Sequence, residues 1–266
     1  MKFQFDRDGY VLVRSLFSKE EIQLVHETSL EDDAIQQHSY DLLDKQGNRT
    51  KLAMWYTPGD DVYGMLSRCD RMVNTVETLL GGPVAHFHSK VMQKEPKVGG
   101  AWEWHQDYGY WYNNGFLFPD LLSVYVALTP ASKENGCLQV IRGSHRLGRI
   151  THGLTGEQVG ADPERVAACL AIQERVYCEM QPGDALFFHS NLLHTSEANL
   201  SNDPRWSIIS VYNLLENVPF KDNPTSCTTP IQKVRDEMIL KAGKRGLDRT
   251  LNEISRKKDT SALQNK

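Results

Sequence analysis

The sequence has no apolar run long enough to span a membrane, no marked excess of either charge and no cysteine pair at metal-binding or redox spacing. Lys and Arg number 30 against 34 Asp and Glu, a formal net charge of -4. That balance gives no footprint for nucleic acid or a membrane surface. The five cysteines, at 69, 137, 169, 178 and 227, are odd in number and never fall as CxxC. They exclude a disulfide framework and a zinc knuckle, and they read as free thiols in a reducing compartment. The opening MKFQFDRDGYVLVRSLF carries Asp6, Arg7 and Asp8 where a secretory signal would be apolar, so a cytoplasmic location is expected. No repeat or low-complexity linker divides the 266 residues, and they are read as one domain.

What is present is strand after strand. Residues 9–17 (GYVLVRSLF) predict a short strand, and Ser18 with Glu21 predicts a capping box opening a helix to about residue 31. Leu66, Met72, Val73, Val76, Leu79 and Leu80 fall at helical spacing, ended by Gly81-Gly82-Pro83. From residue 84 the segments VAHFHSKVMQ, WEWHQDYGYWY, LLSVYVAL, GCLQVIRG, RVYCEMQPGDALFFH and RWSIISVYNLL read as short strands, with PERVAACLA as a helix among them. Pro182-Gly183-Asp184 marks a turn. The pattern predicts a mainly β fold with flanking helices: a jelly roll over about 84–215, a helical N-terminal third packed on it, and a polar helical tail over about 229–258. The polar stretches 35–60 and 153–175 are the expected closing segments.

The chemistry is concentrated in His105-Gln106-Asp107, followed much later by His194 and then Arg205. On a strand, residues i and i+2 point to one side, which would set His105 and Asp107 together. One histidine from a distant strand completes two imidazoles and a carboxylate, a face suited to a non-haem Fe(II) that keeps positions open for a co-substrate and O2. Such a centre carries one net positive charge and can accept the dianion of a 2-oxoacid. Arg205, on a later strand, is placed to pair with that acid's distal carboxylate. Either histidine by itself reads equally as a hydrogen-bonded core residue. His189 competes with His194 as third ligand, and spacing does not separate them.

Those residues sit within a wider resemblance. HSKVMQKEP, WHQD, ENGCLQVIRGSH, PGDALFFHSNLLHTSEAN and PRWSI, with the opening DGYVLVRSLFSKEEI, resemble the phytanoyl-CoA dioxygenase family of Fe(II)/2-oxoglutarate oxygenases, which includes ectoine hydroxylases. The resemblance implies a double-stranded β-helix (jelly-roll, cupin-like) with iron ligands His105, Asp107 and His194. It favours His194 over His189, which is then structural, and makes Arg205 the 2-oxoglutarate anchor. Lys90, Ser196 and Gln106 are implied as further co-substrate contacts, and Trp111, His88 and Ser207 as substrate contacts. Tyr108, Tyr110, Tyr112 and Trp104 read mainly as packing, His145 as ordering a loop, and the basic tail (Lys241, Lys244, Arg245, Arg249, Arg256 to Lys258) as a solvated helix face.

The implied reaction is hydroxylation of a C–H bond in a small organic molecule, with 2-oxoglutarate and O2 consumed and succinate and CO2 released. An intact carboxylate at 107 argues for hydroxylation over halogenation, since halide needs that position open. Two other readings remain: a metal-dependent hydrolase, in which Arg205 has no task, and a non-catalytic jelly-roll binding or sensor protein. The expected partner is a small-molecule substrate, without nucleic acid or membrane.

Overall fold

Alternation along three strands creates two faces of one sheet, and those faces build the molecule. The computed structural model describes residues 1–155, 158–221 and 226–248. In chain order the elements are α1 (Lys2–Asp8), β1 (Tyr10–Val13), α2 (Lys19–Glu31), α3 (Asp33–His38), β2 (Tyr40–Leu43), β3 (Arg49–Trp55), α4 (Val62–Arg68) and α5 (Asp70–Leu80). There follow β4 (Val84–Lys94), β5 (Trp102–His105), α6 (Asp107–Trp111), β6 (Leu121–Ala127), β7 (Leu138–Ile141), β8 (His152–Thr155), β9 (Gln158–Ala161) and α7 (Pro163–Ile172). The chain continues through β10 (Arg175–Cys178), β11 (Ala185–His189), β12 (His194–Ser196), β13 (Arg205–Leu214), β14 (Thr229–Pro230) and α8 (Met238–Ala242).

The large antiparallel sheet runs β1-β11-β6-β13-β4-β3-β2, with β14 added on β4, and a smaller sheet runs β10-β7-β12-β5. Val124 and Val126 of β6, Phe187 of β11, and Trp206 and Ile208 of β13 point outward, into one core with Val25, Leu66, Met72, Val73 and Val76 of the helices. Their neighbours Tyr125, Ala127, Phe188 and Ile209 point inward and pack against Leu138 and Val140 of the smaller sheet. Period-2 burial on both faces is what a sheet sandwiched between helices and a second sheet requires. The mainly β jelly-roll architecture is the expected one.

The N-terminal part differs from a purely helical layer, because β1, β2 and β3 all join the large sheet. The capping box forms: Ser18 Oγ accepts from Glu21 N at 3.2 Å and Glu21 Oε2 accepts from Ser18 N at 2.8 Å. The helix read over 66–80 is two helices, broken at Cys69, whose backbone is extended (φ -64, ψ 148). Gly81 ends the second with φ 90, a left-handed cap that favours glycine. WEWHQDYGYWY is strand only as far as His105, and Asp107 opens the one-and-a-half-turn α6. Of the expected C-terminal helix only Met238–Ala242 is helical among the described residues, and Arg249 and Arg256 to Lys258 lie outside them. Of the two stretches expected to close over the site, 35–60 supplies β2 and β3 to the large sheet, and in 153–175 Gln158 accepts from Glu103 N at 3.0 Å and donates to Ala101 O at 2.9 Å.

Candidate active site

His105 ends β5 and His194 begins β12, and the two strands pair directly at these residues. Their rings lie 4.0 Å apart between centroids. His105 Nδ1 faces Glu103 O at 2.7 Å and His194 Nδ1 faces Leu192 O at 2.9 Å. A carbonyl only accepts, so each Nδ1 carries the proton and each Nε2 presents its lone pair inward. Asp107 does not reach this face as a strand residue. It is the first residue of α6, turned back by extended Gln106 (φ -111, ψ 134), and the helix rather than strand alternation delivers its carboxylate.

The result is a symmetric trio. Asp107 Oδ1 is 3.7 Å from both His105 Nε2 and His194 Nε2, while Asp107 Oδ2 accepts a hydrogen bond from Ser123 Oγ at 2.7 Å. The three donor atoms lie within 4.8 Å of one another, and all three residues are buried. Burial, and for His105 the adjacent His194, holds both imidazoles below the usual histidine range, so both are neutral at pH 7. Two imidazole nitrogens and one carboxylate oxygen on one side fit Fe(II) with open positions.

Beside the trio is a cavity walled by apolar Met92, Trp102, Leu138, Phe188 and Ile209 and reached by Lys90, Tyr125, Ser196 and Arg205. At one end Arg205, buried, donates from Nη1 to Gly136 O, and its guanidinium lies 5.9 Å from the Tyr125 ring. Among the described residues Arg205 Nε, Tyr125 Oη and Ser207 Oγ are buried without a partner. Orphan donors of this kind cost free energy unless something fills them. A carboxylate does so, and the residues present fit the distal end of 2-oxoglutarate. Lys94, opposite Arg205 across β4 and β13, donates to Ser196 Oγ at 2.8 Å and Glu197 O at 2.6 Å. Burial, reinforced by the Arg205 charge, holds its amine well below the usual lysine range.

Gln106 departs from expectation. Its amide is spent on the framework, donating to Gly148 O and Asn191 O at 2.8 Å each and accepting from Ile150 N at 2.9 Å. It is not among the cavity-lining residues and holds the ligand turn in place. His152 does the same from the other side. Its Nε2 accepts from Gln106 N at 2.9 Å, its Nδ1 donates to Ile150 O at 2.9 Å, and burial lowers its pKa to about 4.

Ser207 faces inward between Arg205 and Ile209, on the anchor side of the cavity, not the side of Trp111. Trp111 packs with Phe87, Tyr108, Phe116 and Val211, and its ring meets that of His88 edge-on at 5.8 Å. Among the described residues His88 Nδ1 is buried without a partner, and burial first, then the Lys90 charge, lowers the pKa of that ring well below the usual range. His189 stays outside the trio: its Nδ1 accepts from Asn191 N at 3.0 Å and its ring stacks near His145 at 5.4 Å. His145 meets Asp6 O at 3.2 Å. Sequence reasoning missed Lys94, Tyr125, Ser123 and His152. Lys94 shares a strand face with Lys90 at i+4, and Tyr125 with Ser123 at i+2, so the period-2 signal was there for those.

A jelly roll whose interior gathers two neutral histidines and a carboxylate beside a buried arginine with a donor to spare defines a non-haem iron oxygenase using 2-oxoglutarate. Residues 5–207 match the sequence profile of the phytanoyl-CoA dioxygenase (PhyH) family, and the chain belongs to that family. It is 27% identical over 234 residues to L-proline trans-4-hydroxylase of Streptomyces griseoviridis, covering 82% of this chain and 87% of that protein. It is 28% identical over 229 residues to an ectoine dioxygenase of Bordetella parapertussis, covering 80% and 74% respectively. The structure of EctD from S. alaskensis with 2-oxoglutarate and 5-hydroxyectoine superposes with a TM-score of 0.69 at 26% identity, over 88% of this chain and 86% of that one. Iron and 2-oxoglutarate are therefore its cofactor and co-substrate, and the chain is an Fe(II)/2-oxoglutarate-dependent dioxygenase. No helix among the described residues is long and apolar enough to cross a membrane.

Proposed function

We propose that the chain hydroxylates a C–H bond of a small organic substrate, with His105, Asp107 and His194 holding Fe(II) and Arg205 binding the far carboxylate of 2-oxoglutarate. The observation that carries this is Asp107 Oδ1 standing 3.7 Å from both Nε2 atoms, with Asp107 Oδ2 already committed to Ser123. One oxygen is thereby reserved for the metal. When bound, the iron with O2 and 2-oxoglutarate supplies the oxidising equivalent that breaks the C–H bond, leaving succinate and CO2.

The protein's own contribution is position, charge and dryness. Glu103 O and Leu192 O fix both imidazole tautomers, Ser123 fixes the carboxylate rotamer, and Gln106 with His152 fixes the turn between ligands. Arg205 Nε and Tyr125 Oη offer donors to the distal carboxylate. Lys94 donates to Ser196 Oγ, which leaves the Ser196 hydroxyl proton free to point into the cavity. Ser207 extends this donor set by its place two residues from Arg205 on the same face. His88 and Trp111, which meet edge-on behind the lining of that cavity, are read as the substrate side. The relatives named for proline and ectoine act on small, polar molecules, and a chamber with both apolar walls and a few charged groups suits a molecule of that kind.

The test is succinate formation from 2-oxoglutarate in step with O2 uptake, stimulated by members of a metabolite library. Asp107→Ala should abolish it. Near-normal hydroxylation in that variant removes the ligand assignment, and turnover indifferent to 2-oxoglutarate removes the reaction.

A further inference from the structure

The charged groups that face the cavity leave one lysine unanswered. Lys90, Asp107 and Arg205 are its charged walls; the rest of the lining is polar or apolar. With Fe(II) and the 2-oxoglutarate dianion in place, metal and co-substrate cancel, and so do Asp107 and Arg205. The Lys90 ammonium then stands alone. Among the described residues it has neither a carboxylate nor a hydrogen-bond partner.

Its position separates it from the co-substrate anchor. In the β4–β13 register Lys94 lies opposite Arg205, and Lys90 lies opposite Ile209, four residues further along the same inward face. On its other side Lys90 is opposite Met54 of β3, so both flanking strands offer it only aliphatic side chains. It lines the same cavity as His105, Asp107 and His194. Lys94, by contrast, is drawn away by Ser196 and Glu197. An unpaired ammonium in so apolar a chamber is costly, and an acidic group entering beside it removes that cost. Arg205 and the metal trio claim the rest of the same lining for 2-oxoglutarate, so the partner beside Lys90 is a small one.

We propose that the primary substrate is a small carboxylic acid whose carboxylate pairs with Lys90. This rests on the iron and 2-oxoglutarate reading above and assigns Lys90 to the substrate, not to the co-substrate. The acid group is then gripped beside the metal, and the carbons beyond it extend toward His88 and Trp111.

The test is calorimetric and needs no turnover. Protein loaded with Co(II) and 2-oxoglutarate is titrated with three acids, L-proline, L-leucine and butyrate, and with their amides. At least one acid should bind, with its amide weaker by about tenfold or more. Lys90→Met should bring acid and amide to within about twofold of each other, Lys90→Arg should keep the preference, and 2-oxoglutarate affinity should stay within about threefold in both. Amides binding as well as acids, or no acid binding at millimolar concentration, overturns the proposal. So does a Lys90→Met protein whose main defect is in 2-oxoglutarate binding. If the parent protein takes up neither Co(II) nor 2-oxoglutarate, the underlying oxygenase reading fails instead.

Discussion

Adding one methyl group at Gly109 should loosen the metal site without touching a ligand. A Cβ there would stand 2.3 Å from Cε1 and 2.4 Å from both ring nitrogens of His152, far inside contact distance. The ring has nowhere to slide, because Nε2 accepts from Gln106 N and Nδ1 donates to Ile150 O, both at 2.9 Å. Gly109→Ala must therefore expel the imidazole and leave the Gln106 N–H buried without an acceptor. The lost acceptor costs about 1–3 kcal/mol and overpacking about the same, so a total of roughly 2–6 kcal/mol is expected. Gln106 lies between two of the ligands, so metal affinity should fall by about 10–100-fold, as for other changes behind a ligand. Urea unfolding and Co(II) titration read the two effects. The decisive comparison is the double mutant. In a His152→Ala background the methyl group has no ring to meet, and Gly109→Ala should cost at least about 1 kcal/mol less than in the parent. Equal costs in both backgrounds, or a Gly109→Ala protein as stable as the parent, would refute the steric argument.

Arg205→Ala should raise the 2-oxoglutarate requirement by about 30-fold or more, the equivalent of roughly 2 kcal/mol or above for a desolvated charge pair, with Fe(II) affinity nearly unchanged. An unchanged requirement would put the anchor elsewhere. Ser123→Ala removes the 2.7 Å hydrogen bond to Asp107 Oδ2 and frees the carboxylate to rotate, so metal affinity should drop by about tenfold or more while 2-oxoglutarate binding to the loaded protein holds. The pH dependence has a definite sign. Burial lowers the pKa values of His86, His152 and His189 to about 4 each, below the value near 6.5 of the unfolded chain. Between those limits the unfolded state binds more protons, so their contribution is complete above about pH 6.5 and is lost as pH falls toward 4. Urea midpoints should be flat above pH 7 and decline from 6.5 to 5, whereas stability constant down to pH 5 would mean these rings are not buried neutral.

How much of this was readable beforehand follows from the range of each interaction. The β-rich fold, the Ser18 helix start and the Gly81 stop are local signals, and they appear where the residues put them. His105, Asp107, His194 and Arg205 come together in space as their spacing and the family resemblance implied. The route did not: WEWHQDYGYWY is rich in aromatics and reads as continuous strand, yet Tyr108 N donates to Ser190 O at 2.9 Å and Gln106 is clamped by the 148–152 loop. Those tertiary partners turn the chain at Gln106 and override local preference. Cys69 breaks a helix whose apolar spacing looks continuous, for it opens the chain to a bridge with Val234, a partner distant in sequence. The tasks of Lys94 and Gln106 could not be separated from those of their neighbours by spacing, because they depend on which backbone carbonyls surround each side chain.

The central claim is that three side chains hold one metal and Arg205 holds the 2-oxoacid that chelates it. Anaerobic addition of Fe(II) and then 2-oxoglutarate, followed by visible charge-transfer absorption of the chelate, tests this most directly. One equivalent of each should saturate the band in the parent protein, the band should be absent in Asp107→Ala, and in Arg205→Ala it should demand far more 2-oxoglutarate. A parent protein that binds Fe(II) but forms no such band, or an Asp107→Ala protein that forms it normally, would contradict the account.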